Sequence, residues 1–209
     1  MNTMIKRIQF TAMAATMAAL GVLPQLASAE STTATGAGAL STGSRVDIQV
    51  VIPRFLQFQV GTAGATIDQI AFDMTAAAAN VGNSVAQAGT GGNLGAGAVT
   101  VNVKANSGQV TITPTNNSAG LGLGNGTAGQ TIAYTEILTA SSAAGTLPAP
   151  ALSNAGGTAV TPTLSAGAVT NRSATWTYTY ANTTVPNAGT YGTGGTATGG
   201  RVTYTATTP

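Results

Sequence analysis

Along most of this chain apolar side chains recur at every second position, the period of a strand, whose successive side chains leave on opposite faces. Val46, Ile48, Val50 and Ile52 alternate with Asp47, Gln49 and Val51 until Pro53 interrupts. Leu56, Phe58 and Val60 then alternate with Phe55, Gln57 and Gln59 up to Gly61, and Ile70, Phe72 and Met74 form a third set around Ala71 and Asp73. Val99, Val101 and Val103 face away from Thr100, Asn102 and Lys104, the clearest half-buried strand in the chain. Val110 and Ile112 continue the pattern beyond Asn106-Ser107-Gly108, a polar turn of a composition suited to a hairpin. Ile132 and Tyr134 restart it through Leu138. Trp176, Tyr178 and Tyr180 alternate with Thr175, Thr177 and Thr179, and Val202, Tyr204 and Ala206 make a last strand after Arg201.

Between these runs the chain is punctuated by Gly, Asn, Ser and Thr. Residues 140–173 hold Pro148, Pro150 and Pro162 and few large apolar groups, which predicts a long loop with one short edge strand near 159–164, where proline is tolerated. No apolar stripe of helical spacing appears, and 76–79 supports at most a turn before Gly82. About seven or eight short strands predict an all-β fold, an antiparallel sandwich with one face of each sheet in the core. A closed membrane barrel would need strands of ~9–11 residues and girdles of aromatics. Four Phe, five Tyr and one Trp are too few and too unevenly placed for that.

The start of the chain changes where such a domain is expected to work. Lys6 and Arg7 precede an uncharged apolar stretch over 8–22, Pro24 breaks it, and Ala27-Ser28-Ala29 puts small residues where a signal peptidase reads. The pattern predicts a bacterial-type signal peptide over 1–29, cleaved before Glu30, with the apolar stretch shorter than the ~20 residues that span a bilayer. The expected organisation is then a flexible extension over 30–45 and one sandwich domain over 46–209. The mature chain carries Arg45, Arg54, Lys104, Arg172 and Arg201 against Glu30, Asp47, Asp68, Asp73 and Glu136, so it is formally neutral. No basic patch with interleaved aromatics is present, and nucleic acid is not an expected partner. Charged residues are 6% of the chain, far below the ~25% of ordinary soluble domains, which leaves little like-charge repulsion to oppose self-association.

Composition also removes chemistry. The chain has no His and no Cys, hence neither the commonest general base nor the usual zinc, iron–sulfur or thiol ligands. Asp68 and Asp73 are an odd number of positions apart, so on one strand they would point to opposite faces, unlike a glycosidase pair. No Asp-x-Asp-x-Asp run suggests a calcium loop. The glycine runs over 91–97 and 120–126 lack the Lys-Ser/Thr of a phosphate loop and read as loop punctuation. No catalytic, cofactor-binding or metal residues are assigned, no cofactor is expected, and the chain is not expected to be an enzyme. Asn116, Asn125, Asn171 and Asn182 match the Asn-x-Ser/Thr pattern, which carries no weight in a Thr- and Asn-rich chain.

Two segments carry a resemblance. The Thr/Ala/Gly lead over 30–44 runs into Val46-Asp47-Ile48-Gln49-Val50-Val51-Ile52 and Leu56-Gln57-Phe58, and the chain closes with Gly189-Thr190-Tyr191 and Gly200-Arg201-Val202-Thr203-Tyr204-Thr205-Ala206. This arrangement resembles bacterial fimbrial subunits of the chaperone-usher type and related fimbria-like surface proteins. The resemblance implies an immunoglobulin-like β-sandwich lacking one strand, whose groove is filled first by a periplasmic chaperone and then by the N-terminal extension of another subunit. It implies a donor strand with Val46, Ile48, Val50 and Ile52 as apolar knobs, and an acceptor groove bordered by Val202, Tyr204 and Ala206. It also implies an outer-membrane usher as partner, self or related fimbrial subunits as neighbours, no transmembrane helix in the mature chain, and passage through the periplasm to a cell-surface filament. Thr208 stands where the commonest pilins have an aromatic, the disulfide of many such subunits is impossible here, and Gly195 is out of register with the usual C-terminal glycine.

Two other readings stay open from the sequence. Residues 46–52 could be an ordinary first strand pairing within its own domain. The chain could instead be a monomeric secreted adhesin or carbohydrate-binding module that uses Trp176, Tyr178 or Tyr180 as a stacking platform, although core packing is the commoner use of such residues.

Overall fold

The computed structural model of the chain describes residues 31–194 and 198–209. The leader read over 1–29, the cleavage position before Glu30, and Gly195 lie outside the described residues. The chain divides into two units, Met1–Ile52 and Pro53–Pro209. In the first, residues 31–52 carry no helix or strand. The Thr32 hydroxyl donates to the Gly43 carbonyl at 2.8 Å and bonds the Thr42 hydroxyl.

The second unit is all-β. Its strands are β1 (Leu56–Val60), β2 (Ile70–Ala71), β3 (Gln87–Ala88), β4 (Thr90–Gly91), β5 (Ala98–Ala105), β6 (Thr111–Asn116) and β7 (Leu123–Gly124). They continue with β8 (Thr131–Ile132), β9 (Ile137–Ser141), β10 (Leu152–Ser153), β11 (Gly156–Gly157), β12 (Thr170–Tyr180) and β13 (Val202–Thr207). Short 3-10 turns at Thr75–Asn80 and Tyr134–Glu136 are the only helical pieces among the described residues. Every ladder is antiparallel.

The largest sheet is built on β12. Trp176 pairs with Val99 of β5 and with Ser141 of β9, so β12 uses both edges, and β5 carries β1 on its far side. Alternation decides the faces. Val99, Val101, Val103 and Ala105 of β5 are buried beside Ala174, Trp176, Tyr178 and Tyr180 of β12, while Thr100, Asn102, Lys104 and the intervening threonines face outward. β-branched and aromatic residues suit such a surface because they pack against cross-strand neighbours without losing much rotamer freedom. Gly97, at φ +70°, lets β12 come close: a Cβ there would lie 2.9 Å from the Tyr178 carbonyl oxygen.

The predicted hairpin between Val103 and Val110 does not form. The turn is present, but β5 is already paired on both edges by β1 and β12, so β6 leaves it and pairs β13 instead. The turn is held to the start of β12, with Gly108 N–H donating to the Ala168 carbonyl and the Thr170 hydroxyl to the Gly108 carbonyl. Ile112 of β6 joins the same core as Val101 and Trp176, together with Tyr134, Leu147 and Leu152 from the intervening chain. The edge strand expected near 159–164 is a single bridge, Val160 to Ile112. The loop read as far as 173 ends earlier, because β12 already pairs β5 at Thr170. The set at Ile70, Phe72 and Met74 yields only the two-residue β2, since Asp73 accepts from the Thr75 N–H and hydroxyl and turns the chain into the 3-10 segment.

Candidate functional site

The residues singled out by alternation at the two ends of the chain fall into different environments. Val46, Ile48, Val50, Val51 and Ile52 are between 73% and 87% exposed and belong to no strand. The row is as apolar and as regular as any strand in the body, so its exposure is not explained by its own chemistry: burying each such side chain is worth about 1.5–3 kcal/mol. A strand needs a neighbouring edge, and among the described residues none is paired to it.

Val202, Tyr204 and Ala206 form the inward row of β13. They pack against the core but stay only partly buried, unlike the matching row of β5. Leu56, Phe58 and Val60 are the inward row of β1, across from Ala105, Val103 and Val101, and are also only partly covered, with Leu56 exposed. The resemblance puts the β13 row on a groove border and assigns no such place to β1. The signal was present, since β1 is the next alternating run after the exposed row.

Backbone geometry shows how these two strands face outward at their edges. In an antiparallel strand the N–H and C=O of alternate residues point to opposite edges. Phe55 accepts from Asn106 N–H, and Gly61 N–H donates to the Thr100 carbonyl, so the odd positions of β1 bond toward β5. Leu56, Phe58 and Val60 therefore direct their main-chain groups to the other edge. On β13, Asn117 N–H donates to the Arg201 carbonyl, and Ile112 of β6 bonds away to Val160, which assigns odd positions of β13 to β6. Val202, Tyr204 and Ala206 direct theirs away from it. No ladder occupies either of these edges among the described residues, and β1 and β13 approach within 8 Å without pairing. The same six residues thus supply half-covered apolar side chains and open main-chain groups.

Beneath this pair of edges lies an aromatic cluster. The Trp176 and Tyr204 rings meet edge to face at 5.2 Å, and the Tyr178 and Tyr204 hydroxyls are 2.8 Å apart. Burial pushes the Tyr178 phenol up to about 12 and the Tyr204 phenol well above its ordinary value, where the adjacent Tyr178 adds to the effect. The Trp176 indole N–H and the Tyr180 hydroxyl are buried without a hydrogen-bond partner among the described residues. Trp176 is fully buried and Tyr178 and Tyr180 nearly so, hence these rings face the core and offer no stacking platform.

Elsewhere the polar groups are occupied in building loops. Asp68 accepts from the Thr62 N–H and hydroxyl, and Glu136, almost fully buried, accepts from the Thr183 N–H and hydroxyl. Asn182, fully buried at φ +58°, accepts from Gly82 N–H and donates to the Asn80 and Val85 carbonyls and the Asn83 side chain. That placement rules out its use as a surface acceptor. A shallow hollow on the outward face of β1 and β5 is lined by Gln57, Gln59, Asn102 and Lys104, three amides and one ammonium. Among the described residues no cluster of acidic side chains could hold a metal ion, and no helix is long and apolar enough to cross a membrane. No protein-family model, curated protein or solved structure matches this chain.

Proposed function

We propose that the protein is a structural subunit of a fimbria-like surface filament, an immunoglobulin-like β-sandwich short of one strand that is completed by the apolar row of another copy or a related subunit. The reading rests on one observation. A single chain carries a regular, exposed row at 46–52 and, on β1 and β13, two open edges whose inward side chains are only half covered. Strand addition satisfies both, because main-chain bonds fill the edges while alternate side chains fill the half-covered strip. Val46, Ile48, Val50 and Ile52 would be the inserted knobs, with Val202, Tyr204 and Ala206 on one border and Leu56, Phe58 and Val60 on the other.

Four buried aliphatic side chains contribute about 6–12 kcal/mol before ordering costs are subtracted. A strand lying between two others needs about twice the ~4.8 Å inter-strand spacing, more than the closest approach of β1 and β13, so those strands part to admit it and uptake is slow. The low charge of the chain suits close packing of many copies. Export through the periplasm, with a chaperone holding the open edges and an outer-membrane usher ordering assembly, completes the proposal on the resemblance of the chain ends to fimbrial subunits.

The test is a protein lacking residues 30–52, supplied with a synthetic peptide of residues 44–53. The truncated body should fail to form oligomers yet bind the peptide, with a change in the fluorescence of Trp176, the sole tryptophan, which meets Tyr204 of the border edge to face. Oligomers that form as readily without the row overturn the proposal.

A further inference from the structure

The row ends at Ile52 and the body begins at Pro53, with nothing between them to act as slack. To complete its own domain the row would have to reverse within residues 53–55 and return alongside β1. Loops of two to five residues make such hairpins routinely, so length alone does not forbid it. What stands against it is how residues 53–55 are held.

Asn106, the first residue after β5, grips this segment at three points. Its Nδ2 donates to the Pro53 carbonyl at 2.7 Å, its Oδ1 accepts from Phe55 N–H at 2.9 Å, and its own N–H donates to the Phe55 carbonyl at 3.4 Å. Only one orientation of the amide satisfies both side-chain bonds, because a carbonyl needs a donor and an N–H needs an acceptor. Between these points Arg54 Nη2 donates to the Pro209 carbonyl at 2.5 Å, tying the same segment to the stretch that follows β13. Phe55 is thereby added to the β1–β5 ladder one position beyond Leu56 and Ala105, and the chain enters β1 already extended. Reversal would break these bonds together.

We propose that Asn106, assisted by Arg54, is a latch that keeps residues 46–52 out of the open edges of their own domain and so reserves them for a second copy. The inference rests on the strand-donation reading and adds to it the residues that separate exchange between copies from closure within one.

Hydrogen exchange on isolated monomers of the mature chain tests it. Amides of 46–52 should exchange freely in the wild type. In Asn106→Ala they should slow at least tenfold as the row folds back, and the monomer should lose its capacity to join oligomers. Asn106→Asp retains the acceptor for Phe55 N–H but not the donor to Pro53, and should slow them less. A short Gly-Ser insertion between Ile52 and Pro53 leaves the latch intact but supplies slack, and should give the same protection as Asn106→Ala; it also carries the test should Asn106→Ala fail to fold. Free exchange of 46–52 in every variant, while the truncated body still binds the row peptide, overturns the latch and leaves strand donation standing. Failure of the truncated body to bind the peptide removes strand donation, and the latch with it.

Discussion

The Tyr178 hydroxyl on β12 meets the Tyr204 hydroxyl on β13 at 2.8 Å, joining the central strand of the largest sheet to the strand that pairs β6. The two residues belong to different ladders, and their contact, backed by the Trp176 ring, is one of the few polar links across a largely aliphatic core.

Alkaline pH should unfold the protein through these phenols. A tyrosine whose folded pKa is raised favours the folded state fully below its unfolded value of 10.0, and that advantage is lost as pH rises through the folded value. Tyr178 and Tyr134 are each pushed up to about 12 by burial, and Tyr204 is also raised well above its ordinary value. Stability should therefore be level below pH 10 and fall between about 10 and 12. Tyrosinate absorbance should appear in step with loss of circular dichroism, and complete ionisation near pH 10 with the fold intact would contradict this placement.

Tyr204→Phe removes the shared hydrogen bond but keeps the ring against Trp176. It should cost about 1 kcal/mol in denaturant unfolding. Trp176→Ala, which empties the middle of the core, should cost about 3–5 kcal/mol. A folded, stable Trp176→Ala protein that had lost binding to a glycan would instead place that ring at a surface.

Ile48→Asp in the row peptide should weaken its capture by the truncated body by about 10–100-fold, the equivalent of one lost aliphatic side chain, because a carboxylate inserted there would be desolvated without a partner. Gln49→Asp, which alternation puts on the opposite face, should leave binding within about threefold. Competition measurements with the two peptides separate a face-specific strand from nonspecific adhesion of an apolar segment.

Asn182→Ala should loosen residues 80–85 without disturbing β12. Four hydrogen bonds disappear with the amide, and alanine is strained at φ +58°. A loss of about 2–3 kcal/mol is expected, with faster exchange at Gly82 and Ser84, whose N–H groups bond the Asn182 side chain and carbonyl. Unchanged protection of both amides would mean the loop is held by other contacts.

Side-chain period determined much of this protein in advance. Strands β1, β5, β13 and the aromatic part of β12 stand where the alternation puts them, with valines, Trp176 and the tyrosines inward, because a strand's two faces are a local property of the backbone. Absence of His and Cys is likewise a property of the string alone. Pairing is not local. The same alternation occurs at 46–52 and at β1, yet one is exposed and the other lies in a sheet, since period two names a face and never an edge. The turn after β5 has the composition of a hairpin, and nothing nearby in the sequence reveals that Thr170–Tyr180 occupies the edge β6 would need. Asn106 and Asn182 are indistinguishable from ordinary loop residues in the sequence for the same reason: their partners lie 51 and 100 positions away, and only the folded chain brings them within 3 Å.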